Sequence, residues 1–281
     1  MEPHNFRDVM KNLFIGGKYS DLVISCGGHD FRVHRNIVCS QSDFFEAAAN
    51  GYFSEARANK ITLPEDDPQT VERVLSYLYI RDYEETGHTM DLVIESAVQK
   101  TESVGDDPSA NADELSQISV SSIAHNNIRV YVAADKFGII RLKEVSKERF
   151  VNWANRYWNH EVFPAVVHEV LDSVPAHDTG LRDAVIKLIS KNVETLLKRE
   201  DMLCVMTDFG HLATGVLKAV VEEKVQRLVG LVQETSYGRL AKQLNELEAC
   251  RHCGARFNIR VEGSSYYGWG SLRCGLCRTR H

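Results

Sequence analysis

Residues 20–45 read SDLVISCGGHDFRVHRNIVCSQSDFF. Their first part, LVISC at Leu22–Cys26, has the β-branched character and boundaries of a strand. Gly27 and Gly28 follow at once, and such a pair suits a tight hairpin turn because glycine enters positive φ at little cost. Phe31 and Val33 then alternate as on a second strand. Ser42 is a good helix N-cap, and Asp43 and Glu46 sit where carboxylates favour the positive end of the helix dipole. Phe44, Phe45, Ala48 and Ala49 continue that helix until Asn50-Gly51 stops it. The stretch predicts a hairpin that feeds a helix. It also places His34 five residues before Cys39, which raises the question of a catalytic pair.

Working outward, Phe6, Val9, Met10, Leu13 and Phe14 have helical spacing over residues 4–16 and give one strongly apolar face. KITL at residues 60–63 predicts a third strand. Residues 64–68 are a turn, and residues 70–79 a helix with Val71, Val74, Leu75 and Leu78 inward. The character then changes. From Glu84 to Glu114 there are nine acidic residues against one lysine, Lys100. Such a segment buries too little apolar area to fold, so a disordered acidic loop is expected over about 84–126, with DLVIESAV at 91–98 as a transient helix. Helix resumes near Ile128, Gly138 punctuates it, and Leu142 and Val145 open the next. From residue 150 to about 246 everything reads as helix. The stripes Val162–Val170, Leu181–Leu196 and Leu217–Leu228 are expected to be packing faces.

The whole chain has 281 residues, a net charge of −6 and 43% hydrophobic residues. That suits one large or two to three small domains and gives no global attraction to nucleic acid or membrane. The N-terminal segment lacks the pattern of a secretory signal, and no run of about 18 apolar residues exists to span a bilayer. A cytoplasmic or nuclear location is expected, where thiols stay reduced. Of the seven cysteines, Cys26, Cys39 and Cys204 read as small core residues.

The other four lie in the last 32 residues as Cys250-x2-Cys253, twenty residues, then Cys274-x2-Cys277. A two-residue gap turns both sulfurs toward one ion, and two such knuckles complete a tetrahedron around one structural Zn²⁺. Gly254 and Gly275 are expected to permit the turns. His252 and His281 fit the spacing less well as ligands. Phe257, Ile259 and Val261 alternate like a strand, and Tyr266, Tyr267 and Trp269 can shield the site, as in a zinc ribbon. Residues 251–281 also carry six arginines and one acid, Glu262. Arginines and aromatics together could grip a nucleic acid, but the other 250 residues then sum to about −11 and repel polyanions.

Taken in order, Ser20-Asp21-Leu22-Val23-Ile24, Phe31-Arg32-Val33-His34-Arg35, Ser40, Phe44-Phe45, Phe53-Ser54-Glu55, Ile61-Thr62-Leu63-Pro64, Tyr77-Leu78-Tyr79 and Ala133-Ala134-Asp135-Lys136-Phe137-Gly138 resemble a BTB/POZ domain. The acidic loop and Leu181-Arg182-Asp183-Ala184-Val185 resemble the fungal-type BTB proteins in particular. The resemblance implies an α+β fold: a BTB/POZ domain over 1–150 with the acidic insertion, a helical BACK-like region over 151–246, and a zinc-ribbon-like tail over 247–281. It implies an interaction or adaptor protein rather than an enzyme. His34 is then a residue of the strand-to-helix junction, and the sequence shows no third group to orient a His–Cys pair. The N-terminal helix would pack across a homodimer partner through Phe6, Val9, Met10, Leu13 and Phe14, or else dock on its own chain. Asp21 and Arg35 would line the family's charged pocket as a carboxylate–guanidinium pair, or else pair to stabilise the fold without any partner role. Phe53 and Glu55 match the hydrophobic-x-Glu pattern of BTB proteins that recruit a cullin for ubiquitin ligation. The alternative is a transcription-related or nucleic-acid-binding protein using the arginine-rich tail.

Overall fold

The computed structural model describes residues 5–50, 59–90, 111–245, 249–250, 252–256, 259–263 and 270–279. The chain divides into two compact units, residues 1–213 and 214–281. The first is mostly helical around a small sheet.

Helix α1 (Phe6–Gly16) begins at Asn5, whose side chain accepts from the Arg7 N–H, and ends at Gly17, where φ is 55°. A Cβ at Gly17 would stand 2.8 Å from the Arg32 Cβ, so glycine is required there by conformation and by space. Strands β1 (Leu22–Cys26) and β2 (His29–Val33) form the predicted hairpin, with Cys26 opposite His29 and both turn glycines at positive φ. Strand β3 (Lys60–Leu63) pairs parallel to β1, giving the order β2-β1-β3. Leu22, Ile24, Cys26, Phe31, Val33, Ile61 and Leu63 all point into one core, as period-two alternation requires.

Between strand and sheet neighbours lie the short helix α2 (Arg35–Val38), one 3₁₀ turn, and α3 (Asp43–Asn50). Ser42 caps α3 as expected, accepting from the Phe45 N–H, and its hydroxyl also donates to the Phe137 carbonyl at 2.6 Å. Helix α4 (Pro68–Ile80) starts at Asp67, which accepts from the Thr70 N–H and hydroxyl, with proline at the first turn. Every residue from 70 to 79 is buried. That includes Glu72 and Arg73, whose partners are the residues just after the helix. Arg73 donates to the carbonyls of Glu84 and Gly87, and Glu72 Oε1 accepts from the N–H groups of Thr89 and Met90. The start of the expected acidic loop is therefore tied to the core, because a buried carboxylate and guanidinium each need such partners.

Helix α5 (Asn111–Lys136) also revises that loop. Residues 111–126, expected as loop, are helical, and residues 91–98 lie outside the described ones. Composition argues against burial there, yet Ala124 is fully buried and Asn126 is buried too, its side-chain amide donating to the Glu85 carbonyl at 2.7 Å. Helices α6 (Ile140–Tyr157), α7 (Phe163–Ser173), α8 (Thr179–Lys191), the single turn α9 (Val193–Leu196) and α10 (Glu200–Asp208) complete the unit. Buried Arg182 of α8 donates to the carbonyls of Leu171 and Val174, satisfying the C-terminal end of α7. Asp178 caps α8, accepting from Gly180 N–H, the Tyr131 hydroxyl and Lys143.

Helix α11 (Gly210–Asn245) begins in the first unit and runs through the second. The stripe expected to be a packing face there is exposed: Leu217, Val221, Val225 and Leu228 are all open to solvent. Cys204, expected in a core, is exposed as well. The ribbon pairs β4 (Ile259–Gly263) antiparallel with β5 (Gly270–Cys274), plus a bridge between Ala249 and Arg256. Among the described residues no single helix is long and apolar enough to cross a membrane.

Candidate metal centre and interaction surfaces

His34 and Cys39 have separate structural tasks. His34 Nε2 lies 2.7 Å from the Lys18 carbonyl, which only accepts, so that nitrogen carries the proton. Nδ1 then accepts from the Tyr79 hydroxyl at 2.7 Å, and that hydroxyl accepts from the His34 backbone N–H at 2.8 Å. One histidine thus locks the end of β2 to α4 and to the turn after α1. The Cys39 thiol donates to the Phe45 carbonyl, and burial raises its pKa. A raised thiol pKa lowers the thiolate fraction that a nucleophile needs.

The α1 face divides. Phe14 is 1% exposed and its ring stacks on Tyr79 at 5.0 Å, while Met10 and Leu13 are partly buried against the same core. Phe6 and Val9 are 74% and 41% exposed. Phe14 is therefore a core residue of its own chain, a correction to its place in an expected dimer face; the helix anchors by its C-terminal half and by an ion pair from Arg7 to Asp82 at 2.6 Å.

Asp21 and Arg35 do meet, but not as the expected bidentate pair. Asp21 Oδ1 accepts from the Arg35 backbone N–H at 2.8 Å, capping α2. The Arg35 guanidinium instead donates to the Ala49 carbonyl and to the side-chain oxygens of Asn50 and Asn59. Asp21 is exposed, so the large cost of an orphaned buried charge does not arise. Phe53 and Glu55 lie outside the described residues.

The four tail cysteines converge. Their sulfurs all lie within 4.8 Å of one another, with Cys250 to Cys277 at 3.5 Å and Cys253 to Cys274 at 3.9 Å. Tetrahedral coordination at a Zn–S length of about 2.3 Å needs sulfur edges of about 3.8 Å. The observed separations bracket that value, so the donor set fits one ion. Two matched turns bring it about. Gly254 N–H donates to the Cys250 carbonyl and Cys250 N–H to the Ala255 carbonyl; Arg278 N–H donates to the Cys274 carbonyl and Cys274 N–H to the Thr279 carbonyl. Gly254 and Arg278 hold the same place in each knuckle, with φ of 64° and 56°. The second left-handed residue is thus Arg278, not the expected Gly275. The Thr279 side chain and N–H pull the Cys277 thiol down to about 5, and the Cys253 N–H lowers that of Cys250; the Ala255 N–H also favours the Cys253 thiolate, but hydrogen bonds with the neighbouring thiols, Cys250 first, push Cys253 up to about 11. Hydrogen bonds to the charged sulfur favour the form that binds metal. Among the described residues the cluster contains no histidine, and His252 is exposed. His281, Phe257, Tyr266, Tyr267 and Trp269 lie outside the described residues.

Residues 10–101 match the family model of the BTB/POZ domain. The chain carries a BTB/POZ domain. Kelch-like protein 11 of Homo sapiens is 31% identical over 72 residues, covering 22% of this chain and 10% of that protein. Kelch-like protein 23 of Pongo abelii is 26% identical over 96 residues, covering 34% of this chain and 17% of its own length. Kelch repeat and BTB domain-containing protein 8 of Xenopus tropicalis is 24% identical over 153 residues, covering 53% of this chain and 24% of the relative. The matched stretch spans a quarter or less of each of these proteins.

The interaction-bearing residues that sequence reasoning missed are Glu72 and Arg73, which hold residues 84–90 against α4. Their only sequence signal is a charged pair on the helix that ends in Tyr77-Leu78-Tyr79, and charge there reads by default as a solvated face.

Proposed function

We propose that this protein is an interaction adaptor that joins its BTB/POZ domain to a cullin-type scaffold and presents its helical region and metal ribbon to other proteins. The observation that carries the reading is the BTB/POZ match over residues 10–101, seated on the β2-β1-β3 sheet and its helices. The similarity to Kelch-like proteins over that segment supports it. Phe53 and Glu55 supply the cullin contact in this reading, and the helices after residue 147 extend it. Exposed Phe6 and Val9 supply a face for self-association into a homodimer. One structural Zn²⁺ is held by Cys250, Cys253, Cys274 and Cys277. No catalytic step is assigned, since His34 and Cys39 serve the fold, and the protein works in the cytoplasm or nucleus.

The test is calorimetric titration of the full chain with the N-terminal region of a cullin. Binding at about micromolar Kd is expected, weakened about tenfold or more by Phe53→Ala and by Glu55→Ala, as for anchor residues of an interface. Absence of binding at about 100-fold higher concentration, where such a contact saturates, overturns cullin recruitment.

A further inference from the structure

Over residues 221–228 helix α11 is exposed all round, and its exposed apolar residues gather on one face. Leu217, Val221, Val225 and Leu228 are 65%, 50%, 49% and 62% exposed. They recur at i, i+4, i+8 and i+11, the anchor spacing of an amphipathic helix that binds through one face. At 3.6 residues per turn they fall within roughly 80° of one another around the axis. Together they expose on the order of 300–400 Å² of apolar surface, the size of the largest patch on a typical monomer, which is often a functional one.

The charges beside the stripe are of one sign. Lys218 and Lys224 border it, one on each side, each roughly 60° from its centre line. Both are exposed. Glu222 and Glu223 lie farther round, at more than about 100° from that line. Glu223 pairs with Arg227 at 2.5 Å, and Glu222 reaches Lys218 only at 4.0 Å. Such exposed pairs are weak. A second copy laid stripe to stripe, parallel or antiparallel, would border both seams with lysine alone. A helix with carboxylates flanking its apolar anchors meets the same edges with opposite charge.

We propose that this stripe of α11 is a docking surface for an acidic amphipathic helix on a partner protein, with apolar anchors over Leu217, Val221, Val225 and Leu228 and carboxylates against Lys218 and Lys224. The surface is distinct from the BTB/POZ domain, so this inference goes beyond the cullin reading and stands or falls separately from it.

The experiment uses the full chain and two fluorescein-labelled helical peptides of about 20 residues, long enough to hold helix. Both carry leucine at the four anchor spacings; one is bordered by glutamate, the other by lysine. Fluorescence anisotropy should show the glutamate-bordered peptide binding about tenfold tighter or more, with the difference shrinking as salt rises. Leu217→Ser with Leu228→Ser should abolish binding, and Lys218→Glu with Lys224→Glu should reverse the preference. Circular dichroism of each variant confirms that it remains folded. Equal affinity for the two peptides, or no reversal in the charge-swapped variant, overturns the proposal. A wild-type mass that falls by half in the serine variant assigns the stripe to a second copy. Sedimentation with phosphatidylserine vesicles that the serine variant loses assigns it to a membrane surface. Either result also overturns the proposal, whatever the cullin titration gives.

Discussion

Phe14→Ala separates a core role for α1 from an interface role. The Phe14 ring is 1% exposed and stacks on Tyr79, the residue whose hydroxyl also holds His34. Truncating a buried phenylalanine removes its transfer free energy and leaves a cavity, costing about 3–5 kcal/mol. The cavity here lies against α4, which is buried along residues 70–79. A unit of this size loses about 2–4 °C per kcal/mol, so the melting temperature should fall by roughly 6–20 °C. Phe6→Ala is the matched control, because Phe6 is 74% exposed. Its effect on the stability of a monomer should stay within about 0.5 kcal/mol. Scanning calorimetry reads the stability and light scattering the mass, both on the full chain. Phe14→Ala should melt early with its mass unchanged, while Phe6→Ala combined with Val9→Ser should keep its melting temperature and lose self-association. A Phe14→Ala protein that keeps its melting temperature but halves its mass would refute the packing argument and return Phe14 to a dimer face.

Three further outcomes are expected. The purified protein should hold one Zn²⁺ per chain by metal analysis, and Cys274→Ser should lose it; chelation should unfold the ribbon without changing the BTB/POZ transition, since small zinc modules draw most of their folding energy from the ion. Asp178 has its carboxyl held below the usual range, because hydrogen bonds from Lys143, Tyr131 and the Gly180 N–H outweigh the burial that would raise it. A depressed folded pKa contributes stability above the unfolded value of about 3.9 that is lost as pH falls through the folded one, so Asp178→Asn, which keeps a capping oxygen but loses the charge, should lower stability at pH 7 and flatten the acid limb of a stability–pH curve. Mass spectrometry after brief native-state alkylation should find Cys204 modified well before Cys39 and Cys26, because Cys204 is exposed while burial raises the Cys39 thiol and pushes that of Cys26 up to about 11; faster reaction at Cys39 would reopen a chemical role for it.

Local chemistry determined much of this protein from the sequence alone. The Gly27-Gly28 hairpin, the Ser42 cap, the turn before α4 and the two cysteine knuckles all follow from what one residue and its near neighbours can do. Positive φ, an orphan N–H to satisfy, or a sulfur pair two residues apart needs no distant partner to be legible. The tertiary structure decided matters that depend on what stands opposite. The apolar residues of α1 look alike in sequence, yet Phe14 enters the core and Phe6 stays out, because α4 covers only one end of the helix. Glu72 and Arg73 look like solvent-facing charges until residues 84–90 fold back to bond them. Asp21 and Arg35 have complementary charges, but the Ala49 carbonyl and two asparagines claim the guanidinium first. The polar composition of residues 111–126 argues for loop, and α5 forms there around buried Ala124 and Asn126, where packing overrides average polarity. The stripe on α11 has the periodicity of a buried face and is exposed, since periodicity records that a face is apolar and not which surface covers it.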